Sequence, residues 1–261
     1  MEGIVELGIP QVATAYVFVL FLLLVTRIKG LNRERIIIFS SLRMTLQLVL
    51  AGYVLSLLFA YKSPWLTLAA IGGMELFAIL NIFKRVGGKI PRELKKIIVF
   101  SISSGTLLSL FYFIIAVVRL SPWYDPRYFI PLAGMIIGNS MTGISLGTER
   151  MQGGIRSNRE LIEGALMLGA SPQQAVRSIL DEAFDAAFMP TLNSMVGMGI
   201  VFLPGMMTGQ ILSGIDPQTA IAYQIAIMLG ILGSVTISVF FLIYVGSKTF
   251  FNRDYQLVLP E

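Results

Sequence analysis

One carboxylate lies inside an oily run: Glu75, in "IGGMELFAILN". A charge at that depth in a bilayer costs roughly 3 kcal/mol on insertion scales, so an ionisable residue there points first to function, as a metal-cation site or a gate. The structural alternative is a carboxyl group hydrogen-bonded to a neighbouring helix. Further donors recur in other oily segments. Met135, Asn139 and Thr142 share one helical face, and Asn193, Met195, Met198, Met206, Met207 and Gln210 lie along a later run. With Glu75 they form a candidate substrate pathway of polar and thioether groups. Against that, Met commonly fills gaps in a core, and Asn, Gln and Thr commonly join helices. Cysteine and histidine are absent. That excludes disulfides, zinc fingers and His-based catalysis. The remaining ligands are carboxylate, amide, hydroxyl, carbonyl and thioether. Oxygen suits hard cations and thioether suits Cu(I).

The elements that must position these groups are membrane helices. The 261 residues are 55% hydrophobic and 13% charged, with mean hydropathy +0.77. A soluble domain carries nearer a quarter charged residues. A spanning helix needs about 20 mostly apolar residues, and such runs occur at 9–26, 36–59, 63–83, 97–118, 128–147, 183–213 and 217–247. The expected fold is therefore all-α and polytopic, with about seven transmembrane helices in one domain, 1–261. The last two runs contain Gly and the sixth also Pro, so tilts or breaks are expected there. Gly134/Gly138, Gly143/Gly147 and Gly205/Gly209 have the spacing of close helix packing.

The net charge of +5 is carried by short loops, which fits membrane orientation and argues against nucleic acid as a partner. Arg27, Lys29, Arg33 and Arg35 follow the first run; Lys84, Arg85, Lys89, Arg92, Lys95 and Lys96 follow the third. Arg150, Arg156, Arg159 and Arg177 follow the fifth, and Lys248 and Arg253 the last. The alternate loops hold only Lys62, Arg119 and Arg127. This asymmetry puts the N-terminus outside and the C-terminus in the cytoplasm. Trp65, Trp123, Tyr124 and Tyr128 fall at the outer ends as an aromatic belt. The chain starts with acidic Glu2 and Glu6 and lacks a basic leader region, so no cleaved signal is expected. Arg43 and Gln47 share a face near the cytoplasmic end of the second run, where Arg43 snorkels.

One cytoplasmic loop is long, 148–182. Within it "LIEGALMLGASPQQAVRSIL" places Leu161, Ile162, Ala165, Leu166 and Leu168 mostly along one helical face. Ser157 or Asn158 is positioned to cap its start, and Gly169 with Ser171-Pro172 divides it into two short helices. A membrane-surface helix would carry Lys or Arg on its polar face, but the first short helix has Glu160 and Glu163, favouring docking on a partner. Asp181, Glu182 and Asp185 follow. They could gather cations or simply favour a helix N-terminus.

Glu163-Gly164-Ala165, with Leu168-Gly169-Ala170 and Ile179 behind, resembles the EAA loop of ABC transporter permeases. That resemblance implies an ATPase-coupling helix. Gly stands in its second position and Leu180-Asp181 where Leu-Pro is usual. The segments "SLRMTLQL", "PLAGMIIGNSMTGISLG" and "PTLNSMVGMGIVFLPGMMTGQIL" extend the likeness over nearly the whole chain to the FetB (YbbM) family. These are bacterial permeases described as iron exporters, related to plant permeases linked to aluminium tolerance. The resemblance implies a FetA-like cytoplasmic ABC ATPase as partner, a second copy of the permease, the bacterial inner membrane, and a role in metal or oxidative stress. ATP-Mg would sit on the partner, and no cofactor is expected on this chain. The chain has no G-x-x-x-x-G-K-[ST] and few ionisable residues in its runs, so an external motor is consistent. A non-enzymatic transport subunit is thus expected. Two alternatives stay open: an ABC importer permease for a small polar solute, and a stand-alone channel or secondary transporter.

Overall fold

The computed structural model describes residues 8–87 and 90–258. The readings that rest on Glu2, Glu6 and Lys89 lie outside them. The described residues form helices and isolated bridges, without a named strand. Among the described residues, six helices are long and apolar enough to cross a membrane: Ile9–Ile28, Glu34–Tyr61, Pro64–Val86, Arg92–Val118, Pro126–Ser157 and Pro217–Phe250. They coincide with six of the seven apolar runs. The chain divides into two compact units, Met1–Tyr61 and Lys62–Glu261.

The first unit holds α1 (Ile9–Ala15), α2 (Val17–Ile28) and α3 (Glu34–Tyr61). Tyr16 separates α1 from α2, and its hydroxyl meets Thr45 of α3 in a hydrogen bond. Side chains such as Phe18, Phe21, Phe39 and Leu46 are exposed, as suits helices whose solvent is lipid.

The second unit continues with α4 (Pro64–Val86), α5 (Arg92–Tyr112), α6 (Pro126–Ser157), α7 (Arg159–Met167), α8 (Pro172–Ala175), α9 (Arg177–Gly197), α10 (Gly205–Leu212) and α11 (Pro217–Gly246). α5 ends in a π-helical turn at Phe113–Val118, and Arg119 then takes a left-handed conformation. Asp125 and Asp216 cap α6 and α11 by accepting from the Arg127 and Thr219 amides at 3.0 and 3.1 Å. One core joins these helices, with Phe113, Phe129, Leu94, Ile98, Ile102 and Ile144 fully buried.

Small residues let the helices meet closely. A Cβ on Gly105 would lie 2.7 Å from the Ser238 backbone nitrogen, so only glycine permits α5 to approach α11 there. Gly143 and Gly147 face Ala187 of α9 together with Val235 and Leu242 of α11, and Ser140 meets Ser234 at 2.8 Å. The other Gly-x-x-x-Gly spacings behave differently. Gly134 meets only the flexible end of Met74, while Gly138, Gly205 and Gly209 have nothing within 4 Å of a Cβ position.

Two features depart from the run lengths. α6 has 32 residues, about 48 Å at ~1.5 Å per residue, so it projects well beyond a hydrocarbon core of roughly 30 Å. Residues 148–157 of the expected loop are its last turns. Met151 and Ile155 are buried there, and Glu149 and Arg150 pair with Arg85 and Glu182 at 3.8 and 3.1 Å. The run 183–213 is not continuous. It comprises most of α9, a non-helical stretch at 198–204, and α10.

Candidate functional site

The stretch between α6 and α9 folds as two short helices. Asn158 precedes α7, but its amide donates back to the Gly154 carbonyl at 2.8 Å. Gly169 ends the first helix with φ +90°, a conformation that strongly favours glycine. Ser171 then opens α8 with a capping box: its amide donates to Gln174 Oε1 at 2.9 Å, and its Oγ accepts from the Gln174 amide at 3.4 Å. Pro172 occupies the first turn, where its missing N–H costs nothing.

One side of this unit is anchored. Ile162 and Ile179 are buried, and Ile179 lies so close to Gly154 that a Cβ there would come within 2.5 Å of it. The other side is open: Leu161, Met167 and Leu168 are 74%, 86% and 90% exposed. Glu163 is half-buried and accepts from Arg159 Nε at 2.8 Å, one turn back. Gly164, Ala165 and Ala170 are half-buried, and Gly169 is exposed. Beside them the C-terminal segment turns back through a Phe251–Leu257 bridge. Asn252 holds that turn, accepting the Asp254 and Gln256 amides at 2.9 and 2.8 Å. The two parts border a cleft of about 1320 Å³ lined by Glu163, Ala170, Gln174, Lys248 and Tyr255, among others. This hairpin had no strong sequence signal.

Glu75 is buried in α4 and faces α5. Both carboxylate oxygens lie within reach of the Thr106 hydroxyl, at 3.1 and 3.2 Å, and Thr106 also reaches the Ile102 carbonyl at 2.7 Å. Thr106 was not singled out in the sequence. The visible clue was "SISSGTLLS", a small polar run within an oily span, which marks a helix face turned towards protein.

No hydrogen bond among the described residues joins the other pathway residues to Glu75. Asn139 is half-buried, and its amide donates within its own helix to the Met135 carbonyl at 2.8 Å. Asn193 is exposed on α9 and Gln210 half-buried on α10. Met195, Met198 and Met206 pack against the core, and Met207 is buried. Among the described residues no three Asp or Glu side chains come together as metal ligands. In the acidic group Glu182 is committed to Arg150, while Asp181 and Asp185 are exposed. Arg43 and Gln47 are exposed on α3.

Comparison with known proteins adds relatives of similar length. A UPF0014 membrane protein of Synechocystis is 36% identical over 88% of this chain and 89% of its own. The Escherichia coli protein named "Probable iron export permease protein FetB" is 31% identical, over 96% of this chain and 95% of its own. The Arabidopsis protein ALUMINUM SENSITIVE 3 is 34% identical over 96% and 90%. No solved structure matches. With its six long apolar helices and relatives named as membrane proteins, the chain is a multi-pass membrane protein. The uncharacterised protein family UPF0014 matches residues 9–251, and this chain belongs to that family.

Proposed function

We propose that this chain is the membrane-spanning permease subunit of an ABC transporter that exports iron or a related metal cation. Residues 1–261 serve as one permease domain in the bacterial inner membrane, N-terminus outside and C-terminus in the cytoplasm. α9 and α10 together make the seventh crossing. A separate FetA-like ATPase binds and hydrolyses ATP-Mg, and two copies of the permease pair around the cargo path. Segment 148–182 couples the subunits, with Glu163, Gly164, Ala165, Leu168, Gly169, Ala170 and Ile179 as its core, and Glu75 contributes to the metal pathway.

The observation that carries this reading is the open face of α7. A short helix, anchored by Ile162 and projected from the end of α6, leaves Leu161, Met167 and Leu168 uncovered. Solvated side chains of that kind suit insertion into a partner's cleft. The cargo rests on likeness to the Escherichia coli relative named for iron export. The test is capture. The full chain, tagged and co-expressed with a FetA-like ATPase, should retain that ATPase through purification in detergent. Failure to retain it under conditions that preserve the permease would refute the subunit assignment.

A further inference from the structure

The interrupted span raises a hydrogen-bonding problem. Unpaired backbone groups are strongly unfavourable in hydrocarbon, so non-helical backbone persists at membrane depth only where protein covers it or water reaches it. From Asp185 to Gly197, α9 rises about 18 Å at ~1.5 Å per residue. With Asp185 at the cytoplasmic edge of the hydrocarbon core, where the apolar run starts, that rise is less than the roughly 30 Å to the far side, which puts 198–204 inside the membrane. Some pairing survives: Gly199 donates to the Phe202 carbonyl at 3.0 Å, and Val201 and Phe202 donate to Gly197 at 2.9 and 3.3 Å. The carbonyls of Met198, Gly199, Ile200 and Val201 accept no hydrogen bond from any described residue. Gly199 has φ +84°, which holds this turn open. Met198 packs against the core, but Gly199 is exposed, Ile200 91% exposed and Val201 81%, so this chain leaves the turn from Gly199 to Val201 uncovered.

α9 leads to the same place. Its buried face is Ile179, Ala183, Ala187, Phe188 and Thr191. Asp185, Met189, Asn193 and Val196, at i, i+4, i+8 and i+11, form an exposed stripe, flanked by the exposed Phe184 and Leu192. That stripe starts with a carboxylate, passes an amide and reaches the unpaired carbonyls. The C-terminal end of α9 adds the negative pole of its dipole. Backbone oxygens of this kind replace the hydration shell of a cation, and oxygen-only donors suit hard cations.

We infer that the exposed face of α9 and the unwound 198–201 turn form one wall of a water-filled cation path. The carbonyl oxygens of Met198, Gly199, Ile200 and Val201 ligate a hard cation there. This inference rests on the permease reading and deepens it, giving the cargo main-chain ligands where the side chains supply few.

The chain lacks cysteine, so single cysteines report cleanly. Asn193→Cys, Ile200→Cys and, as a lipid-side control, Leu108→Cys are made in the full chain in native membranes. They are treated with a charged, water-soluble thiol reagent, with and without gallium(III) citrate as a redox-inert hard cation. Asn193→Cys and Ile200→Cys should react about tenfold faster than Leu108→Cys, because a charged reagent follows water and not lipid. Gallium should slow Ile200→Cys more than Asn193→Cys. An unreactive Ile200→Cys overturns the inference, whether it cross-links to a second copy on oxidation or stays inert in lipid. Labelling that gallium does not slow overturns the ligand role. The assay needs no ATPase. Labelling and protection without ATP-driven transport would therefore refute the permease reading and leave the path standing.

Discussion

Reversing the charge at Glu163 separates folding from coupling. In the free chain Glu163 contributes one ion pair, to Arg159 at 2.8 Å, between side chains 36% and 59% exposed. Water screens a pair this open, so it is worth about 0.3–0.5 kcal/mol, and Lys in place of Glu adds like-charge repulsion of similar size. The total stays near 1 kcal/mol, too little to unfold a helix anchored by Ile162. Docked in a partner's cleft, the same reversal leaves a wrong charge desolvated. Losses of that kind run to about 2–5 kcal/mol, roughly 30-fold to several thousand-fold in affinity. The assay pairs the size-exclusion profile and melting temperature of Glu163→Lys alone with its capture of a FetA-like ATPase. A well-folded variant that no longer retains the ATPase is expected. A variant that keeps both capture and ATP-driven transport would refute α7 as the coupling element.

Other variants probe the membrane interior and the loop. Glu75→Gln keeps an acceptor for Thr106 but removes the carboxylate, so metal transport should fall while expression and assembly hold. Normal transport would reduce Glu75 to a packing residue. Gly105→Ala forces α5 from α11 and should cost about 1–3 kcal/mol, as overpacking does. It should lower the melting temperature in detergent, whereas Gly138→Ala, with nothing within 4 Å of its Cβ position, should not; equal melting of the two would contradict the close approach. Ser171→Ala removes the α8 cap at about 1 kcal/mol. It should speed amide exchange at 173–175 without altering the global melt, and unchanged exchange would show that the cap contributes little.

Much of the architecture was legible because lipid imposes a simple length rule. Six runs of apolar residues became six helices, with ends displaced by five residues or fewer except at α6, which runs ten residues further to Ser157. The division of 161–180 at Gly169 and Ser171-Pro172 was legible because glycine and proline restrict backbone in known ways. The capping box was also there to be read, as Ser171 and Gln174 at the required spacing. Other features were hidden for physical reasons. Apolar length cannot show that α6 continues through polar residues to Ser157, since Met151 and Ile155 are held by packing. The pairing of Glu75 with Thr106, like that of Gly105 with Ser238, joins residues far apart in sequence. The oily run 183–213 signalled a break through its Gly and Pro, but not the unpaired carbonyls at 198–201, because every residue carries the same backbone.

The most direct test of the permease assignment is iron uptake into inside-out membrane vesicles holding this chain, with and without a FetA-like ATPase. Uptake that needs both subunits and ATP is predicted, since export from a cell becomes import into an everted vesicle. Iron uptake by the chain alone, without ATPase or ATP, would contradict it.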